Sequence, residues 1–275
     1  MSYSYRTNAS KVIAFRELFS TLYGLGLYVV LTAVFLISSY TVHGSVFQLE
    51  QNGLLALPSP LTSPFFLTVG LVAIYLGLCS AISISRERDQ GTLEVLFYGP
   101  VDSFSYILGK YGQQMLTFFV VLVFSVINFW LVSLVTNFGF SGNFFSLMVL
   151  SIFLASCMVS FGIFLSTLTK RTNISLILFI ALMILLVIFP FARQSVLSIP
   201  GKSLTTVMIY IRIVLDNLNI LMQWISPVAY FERGLVAVGL HDTVQYIISI
   251  AASTIYTAVI LGISMKVFEN KGVKR

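Results

Sequence analysis

Long apolar runs alternate with short polar connections along the whole sequence. Each run holds close to the roughly 20 apolar residues that an α-helix needs to cross the hydrocarbon core of a bilayer. None of the runs contains Asp, Glu, Lys, Arg or His in its interior. Prolines and glycines punctuate the connections between them. The pattern predicts six membrane-spanning helices, over Leu18–Tyr40, Pro64–Ser85, Tyr111–Val135, Phe144–Leu168, Asn173–Ala192 and Gln245–Met265.

The N-terminal segment, residues 1–17, has a different pattern. Val12, Phe15 and Phe19 recur at helical spacing, and Lys11 and Arg16 lie beside them. This spacing favours an amphipathic helix in the plane of the membrane interface over a plain polar tail.

Residues 193–244 form the longest connection between predicted spans. It contains an apolar run, Val207–Ile225, but Arg212 and Asp216 interrupt the run. Because charges at mid-membrane are costly, we predict short external or re-entrant helices here and no seventh span. Arg212 and Asp216 are four residues apart and could pair on one helix face.

Composition supports a membrane protein. Hydrophobic residues make up 57% of the 275, charged residues only 9%, and mean hydropathy is +0.95. Soluble domains carry about 25% charged residues, so lipid must cover most of this surface. We therefore expect one all-α, polytopic domain over residues 1–275. The net charge of +6 sits at the ends of the apolar runs, which excludes a nucleic-acid-binding face.

The positions of the basic residues predict the orientation. Twelve of the 16 Lys and Arg precede the first span, follow the last, or lie in the second and fourth connections. Cytoplasmic segments carry such an excess. We therefore expect a multi-pass protein of the cell membrane with both termini in the cytoplasm.

The chain offers little for catalysis or metal binding. His43 and His241 lie in predicted external loops, while Cys79 and Cys157 lie inside apolar runs without metal-ligand spacing. No nucleophile, base and orienting group occur together, so we expect no enzyme. The spans also lack the ionisable groups typical of gradient-driven carriers and channels, so energy for transport should come from outside these helices.

The connection over residues 86–110 is the most densely charged of the connections between predicted spans. It holds Arg86, Arg88 and Lys110 against four acidic residues. Two interpretations remain open from composition: a solvated charge cluster that ends the second span, or a short helix that offers polar residues to a soluble partner.

This connection resembles the first cytoplasmic loop of ABC transporter permeases of the type 2 exporter class. The similar features are a mixed-charge cluster, Gly-Thr-Leu-Glu at 91–94, Pro100, and Gly109-Lys110 at the end. Ser226–Gly234 resembles the segment before the last span of that family, and Arg16-Glu17-Leu18 resembles its N-terminal interfacial helix more loosely.

The resemblance implies a permease subunit, in the family's usual export direction, driven by a separate ATP-binding cassette ATPase. ATP and Mg would be bound by that partner and no cofactor by this chain. A cytoplasmic coupling helix would dock into the ATPase, and the expected docking residues are Glu87, Arg88, Asp89, Gln90, Gly91, Thr92 and Glu94. Pro227, Arg233 and Gly234 would belong to the external re-entrant segment.

A second permease chain, identical or different, would complete the pore, and an external accessory protein could join it. On this basis, replacing Glu87 and Arg88 by alanine should weaken docking and leave the fold intact. The alternative function is an ATP-driven mechanical or assembly component of an envelope or motility complex that transports nothing. It would share every cytoplasmic feature.

Overall fold

The computed structural model of the chain describes residues 3–52, 61–93, 102–136, 142–198, 206–240 and 242–271. These residues are almost entirely helical and contain no strand. A helix pairs its backbone N–H and C=O groups within itself, which matters in a membrane because lipid hydrocarbon offers them no hydrogen-bond partners. The helices are α1 (Tyr3–Leu22), α2 (Leu25–Asn52), α3 (Thr62–Asp89), α4 (Ser103–Thr136), α5 (Gly142–Leu168), α6 (Thr172–Leu197), α7 (Thr206–Ile225), α8 (Pro227–Gly239) and α9 (Thr243–Lys271).

Six helices of the described chain are long and apolar enough to span a membrane. They are α3, α4, α5, α6, the part Leu25–Gly44 of α2 and the part Thr243–Asn270 of α9. This confirms the predicted all-α fold with six spans. The helix α7, which contains Arg212 and Asp216, is not among them.

The predicted start of the first span, at Leu18, is wrong. Residues 18–22 belong to α1, the chain turns at Tyr23 and Gly24, and the spanning helix begins at Leu25. The run has no charged residue at this point, but Gly24 and Gly26 lie there. Leu18 is buried as part of α1, which packs along α4 before the chain turns.

Several spanning helices continue past the predicted boundaries. The helix α3 extends to Asp89 and α4 begins at Ser103, eight residues before the predicted start at Tyr111. Apolar runs mark the part of a helix that lies in hydrocarbon, whereas backbone hydrogen bonding continues as long as packing supports it.

Small residues allow α3 and α5 to pack closely. Gly77 and Ser80 of α3 face Gly162 and Ser166 of α5, and a Cβ added at Gly162 would collide with the carbonyl oxygen of Gly77. The Ser166 Oγ accepts hydrogen bonds from the amides of residues 84 and 85 at 3.0 and 2.9 Å. Close backbone approach through small residues is a common way for helices to associate in membranes.

The N-terminal helix α1 packs along the first turns of α4. The Cβ and Cγ2 atoms of Ile13 lie 3.0 Å from where a Cβ of Gly109 would be, and Ala14 approaches Gly112. Val12, Phe15 and Phe19 remain exposed on the opposite face. The structure thus shows a helix in the predicted N-terminal segment, and its position in the membrane interface stays a prediction.

Candidate functional site

The most polar buried site lies at one end of the helix bundle. Six of the described helices meet there: α1, the C-terminal ends of α3, α5 and α9, and the N-terminal ends of α4 and α6. We call this the Lys110 end, and the end that carries α7 and α8 the opposite end.

Four side chains form what we call the Lys110 cluster: Glu17 of α1, Glu87 of α3, and Tyr106 and Lys110 of α4. The Lys110 Nζ donates to Glu17 Oε1 at 2.5 Å and to Glu87 Oε1. The Tyr106 hydroxyl donates to Glu87 Oε2 at 2.6 Å. Lys110 is only 3% exposed. Because a buried ammonium is costly unless it is paired, the two carboxylates hold Lys110 in place and join three helices.

Arg88 connects the end of α3 to two further segments. Its guanidinium donates to the carbonyl oxygens of Thr167 and Thr169, at 3.4 and 3.1 Å, where α5 ends. The same guanidinium lies 5.9 Å from the ring centroid of Phe268 on α9, and the Phe268 ring stacks on Tyr106 at 5.4 Å. Arg88 therefore satisfies carbonyls that a helix terminus leaves without partners.

Asp89 caps the helix α6 from outside. Its Oδ2 accepts from the hydroxyl of Thr172 at 3.1 Å and from the Thr172 amide at 3.4 Å. The residue at the N-cap position, Arg171, provides no side-chain cap of its own. A carboxylate at a helix N-terminus is favourable because it meets free N–H groups and the positive end of the helix dipole.

The chain leaves α3 through a left-handed turn at Gly91. Its φ of 71° lies in a region that L-residues with a side chain rarely adopt. Gln90, Gly91 and Thr92 are exposed. Gly91 thus ends the helix and directs the chain into the connection toward α4.

The predicted docking residues therefore separate into two groups. Glu87, Arg88 and Asp89 form the last turn of α3 and contact other helices of the same chain, whereas Gln90, Gly91 and Thr92 face outward. Glu94 lies outside the described residues.

The contacts of Glu87 and Arg88 change the expectation that their replacement by alanine leaves the fold intact. Their joint replacement by alanine would leave Lys110 with a single carboxylate and free two carbonyls at the end of α5. We therefore expect this double variant to lose stability, and a docking test needs the exposed residues instead.

At the opposite end, Asp216 makes an ion pair with Arg193 of α6, with Nη2 to Oδ1 at 2.9 Å. Arg212 donates to the carbonyl oxygens of Val196 and Leu197 at 3.3 and 2.8 Å. The sequence suggested a pair between Arg212 and Asp216 along α7, and that pair stays a prediction. Both residues also reach the end of α6, which packs beside α7 and offers a cation and carbonyl oxygens.

The Ser226–Gly234 segment forms α8 and its N-cap. Ser226 caps the helix by accepting from the Ala229 amide at 3.4 Å, and Pro227 follows at the first helical position. Arg233 donates to the carbonyl oxygen of Gln223 at 2.9 Å. Gly234 lies against Leu150 of α5, whose Cδ2 is 2.6 Å from where a Cβ would be. Ser226, Pro227, Arg233 and Gly234 thus each have a local structural role.

Sequence reasoning missed Glu17 and Tyr106 as members of the buried cluster. Glu17 is 93 positions from Lys110, and no periodic pattern relates residues on different helices. One signal was available: Lys110 directly precedes the predicted span Tyr111–Val135, and a lysine at the end of an apolar run needs either solvent or a buried partner.

Comparison with known proteins gives one family match. The family model described as ABC-2 family transporter protein matches residues 43–273. A search of curated proteins found no match. The matched residues include all of α3 to α8, hence the Gly91 turn and the Ser226–Gly234 segment. This chain is therefore a multi-pass membrane protein that belongs to the ABC-2 transporter family, the generally non-catalytic permease subunits of ABC transporters, which work with an ATP-binding cassette ATPase.

Proposed function

We propose that this chain is the permease of an exporter and that its ATPase docks on the connection between α3 and α4. ATP and Mg are bound by the ATPase alone. The observation that carries the proposal is the continuity of α3, a single helix from Thr62 in its apolar part to Asp89 at the Lys110 end. A force applied just after Asp89 therefore acts on a rigid spanning helix.

The Lys110 cluster supports this mechanism because it joins both sides of the docking connection. Glu87 ends α3, and its carboxylate binds Tyr106 and Lys110 on α4. Lys110 also binds Glu17 on α1. A displacement of residues 90–101 would therefore move α1, α3 and α4 as one unit. Such rigid-body motion is how packed helices respond to a partner that closes on nucleotide binding.

The exposed docking surface consists of Arg86, Gln90 and Thr92, together with the backbone at Gly91. Within the part of the chain that the structure describes, these side chains make none of the cross-helix contacts that occupy Glu87, Arg88 and Asp89. A substitution here can disturb a partner without removing a buried ion pair, which makes these residues the appropriate probes.

Co-purification of the ATPase tests the docking proposal. We expect the double variant Arg86→Glu with Gln90→Trp to lower the amount of bound ATPase about tenfold, which corresponds to a loss of about 1.4 kcal/mol of binding free energy. The matched control is Leu240→Trp, an exposed residue of the opposite end. Wild-type amounts of ATPase on the double variant would refute docking at this connection.

Cysteine labelling tests the orientation, with both termini and the Lys110 end in the cytoplasm. A membrane-impermeant maleimide added to intact cells should label Leu240→Cys and not Thr92→Cys. The native Cys79 and Cys157 lie within spanning helices, where such a reagent does not reach. Labelling of Thr92→Cys alone would reverse the proposed orientation.

We further propose that two permease chains, identical or different, enclose the pathway and that cargo leaves the cell. Inside-out vesicles that contain the full complex should take up cargo when ATP is added outside. Uptake that depends on an ion gradient and not on ATP would refute the proposed energy source.

A further inference from the structure

An apolar groove of about 550 Å³ opens on the outer surface of the bundle, between α5, α8 and α9 and the end of α7. Phe161 and Phe164 form one wall, and Ile248 and Ile255 line the α9 side. Its volume lies within the range of about 300 to 1,000 Å³ usual for ligand sites. The groove is large enough to hold an extended hydrocarbon chain.

Trp224 of α7 and Tyr230 of α8 line one side of the groove, and Tyr256 of α9 meets them there. The Tyr230 hydroxyl donates to the carbonyl oxygen of Trp224 at 3.2 Å, and the Tyr256 hydroxyl donates to that of Ile225 at 2.9 Å. The two tyrosine rings lie 5.0 Å apart. Burial raises the pKa of Tyr230, so its hydroxyl stays neutral. Because both hydroxyls bind carbonyls at the end of α7, the rings are held facing the groove.

The groove has the depth of one membrane leaflet. Along α9 it extends from Ile248 to Ile260, twelve residues apart, or about 18 Å at about 1.5 Å per residue. One leaflet of a hydrocarbon core that is about 30 Å thick measures roughly 15 Å. The Tyr230 ring packs on Tyr256, which lies near the middle of the spanning part of α9, so these rings lie deeper than the end of the groove that Ile248 marks.

A polar cavity of about 350 Å³ adjoins the aromatic side of the groove. The guanidinium of Arg233 lines this cavity and lies 5.2 and 5.7 Å from the ring centroids of Trp224 and Tyr230, which line the groove. The two rings and Arg233 thus form the boundary between an apolar and a polar compartment.

The charges of the polar cavity come from Arg193, Arg233 and Glu232. Arg193 is already in an ion pair with Asp216. In the described ranges, no ion pair joins Arg233 or Glu232 to another side chain. The cavity therefore offers one cation and one carboxylate, which complement a headgroup that carries both a phosphate and an ammonium group.

We propose that the groove and the cavity together bind one zwitterionic phospholipid. An acyl chain occupies the groove, the phosphate contacts Arg233, and the ammonium group contacts Glu232. The site is independent of the ATPase, because it uses none of the residues at the Lys110 end. An amphiphile fits better than a purely apolar ligand, since charged groups of both signs adjoin the aromatic side of the apolar groove.

Native mass spectrometry of the purified full-length protein tests the proposal, with added phosphatidylethanolamine and phosphatidylglycerol of the same chain length as probes. We expect the wild type to retain phosphatidylethanolamine at least about tenfold better, because a lost charged hydrogen bond costs about 1.5 to 3 kcal/mol. Equal retention of the two lipids, or retention of neither, would overturn the proposal.

Two variants separate the two compartments. Ala251→Trp should fill the groove and lower lipid retention about tenfold, whereas Ala181→Trp, another exposed alanine on a spanning helix, should not. Glu232→Gln should keep binding and lose the preference for phosphatidylethanolamine, and because its side chain is exposed the fold should not change.

The same experiment examines the competing occupant of the groove. If a second copy of the chain covers it, Ala251→Trp would break a dimer that carries no lipid, and the lipid site would be wrong. Unchanged lipid retention in Ala251→Trp would also refute it.

Discussion

Replacing Lys110 by methionine should destabilise the protein, because it leaves two carboxylates in a nearly dry site. The side chains of Glu17 and Glu87 are 19% and 17% exposed. Breaking a buried ion pair by removing one partner costs about 3 to 5 kcal/mol. Here each carboxylate keeps one contact, Glu87 with Tyr106 at 2.6 Å and Glu17 with Arg16 at 3.7 Å. We therefore expect about 3 kcal/mol, the lower end of the range.

Thermal unfolding of the purified protein in a fixed detergent measures this loss. For a chain of this size, about 3 kcal/mol corresponds to a decrease of the Tm by roughly 6 to 12 °C. Lys170→Met is the matched control. Lys170 is exposed, so its replacement should change stability by less than about 0.5 kcal/mol.

A triple variant distinguishes lost charge pairing from lost packing. Lys110→Met combined with Glu17→Gln and Glu87→Gln removes all three charges and keeps similar volumes, so it should recover most of the lost stability. The reasoning would be refuted if Lys110→Met unfolds at the wild-type temperature. It would also be refuted if the triple variant is as unstable as the single one, because the loss would then come from packing.

Three further predictions test the helix contacts. Gly162→Ala should destabilise the protein by about 1 to 3 kcal/mol, because the added Cβ meets the α3 backbone. The control Gly70→Ala, which has open space around it, should be neutral or slightly stabilising, and the Tm of each variant measures the difference. Asp89→Ala should cost about 0.5 to 2 kcal/mol by uncapping α6, visible as faster amide exchange near Thr172. Gly91→Val should lower ATPase co-purification more than Gly91→Asn, since asparagine tolerates a positive φ; equal losses would contradict a role for the turn.

Local composition was enough to determine the architecture. Each spanning helix needs only a run of apolar residues of sufficient length, so six spans could be counted along the chain. Arg212 and Asp216 likewise indicated correctly that α7 differs from the six. The start of α8 at Ser226 and Pro227 also rests on a local pattern, since a serine cap followed by proline favours a helix N-terminus, although we made no prediction from it.

The contact partners of the charged residues could not be predicted from local composition. Glu87, Arg88 and Asp89 were recognised as a charged group, yet the sequence did not show that each contacts a different helix. Nor did the sequence by itself place the turn at Tyr23 and Gly24, where the helix that packs along α4 ends.

The physical reason is the range of the interactions. Transfer into hydrocarbon depends on the composition of one segment, so the sequence by itself determined the number of spans and their approximate positions. The pairing of Glu17 with Lys110 depends on the distance between helices whose residues are 93 positions apart. Only the packing of α1 on α4, made possible by Gly109 and Gly112, brings those two side chains together.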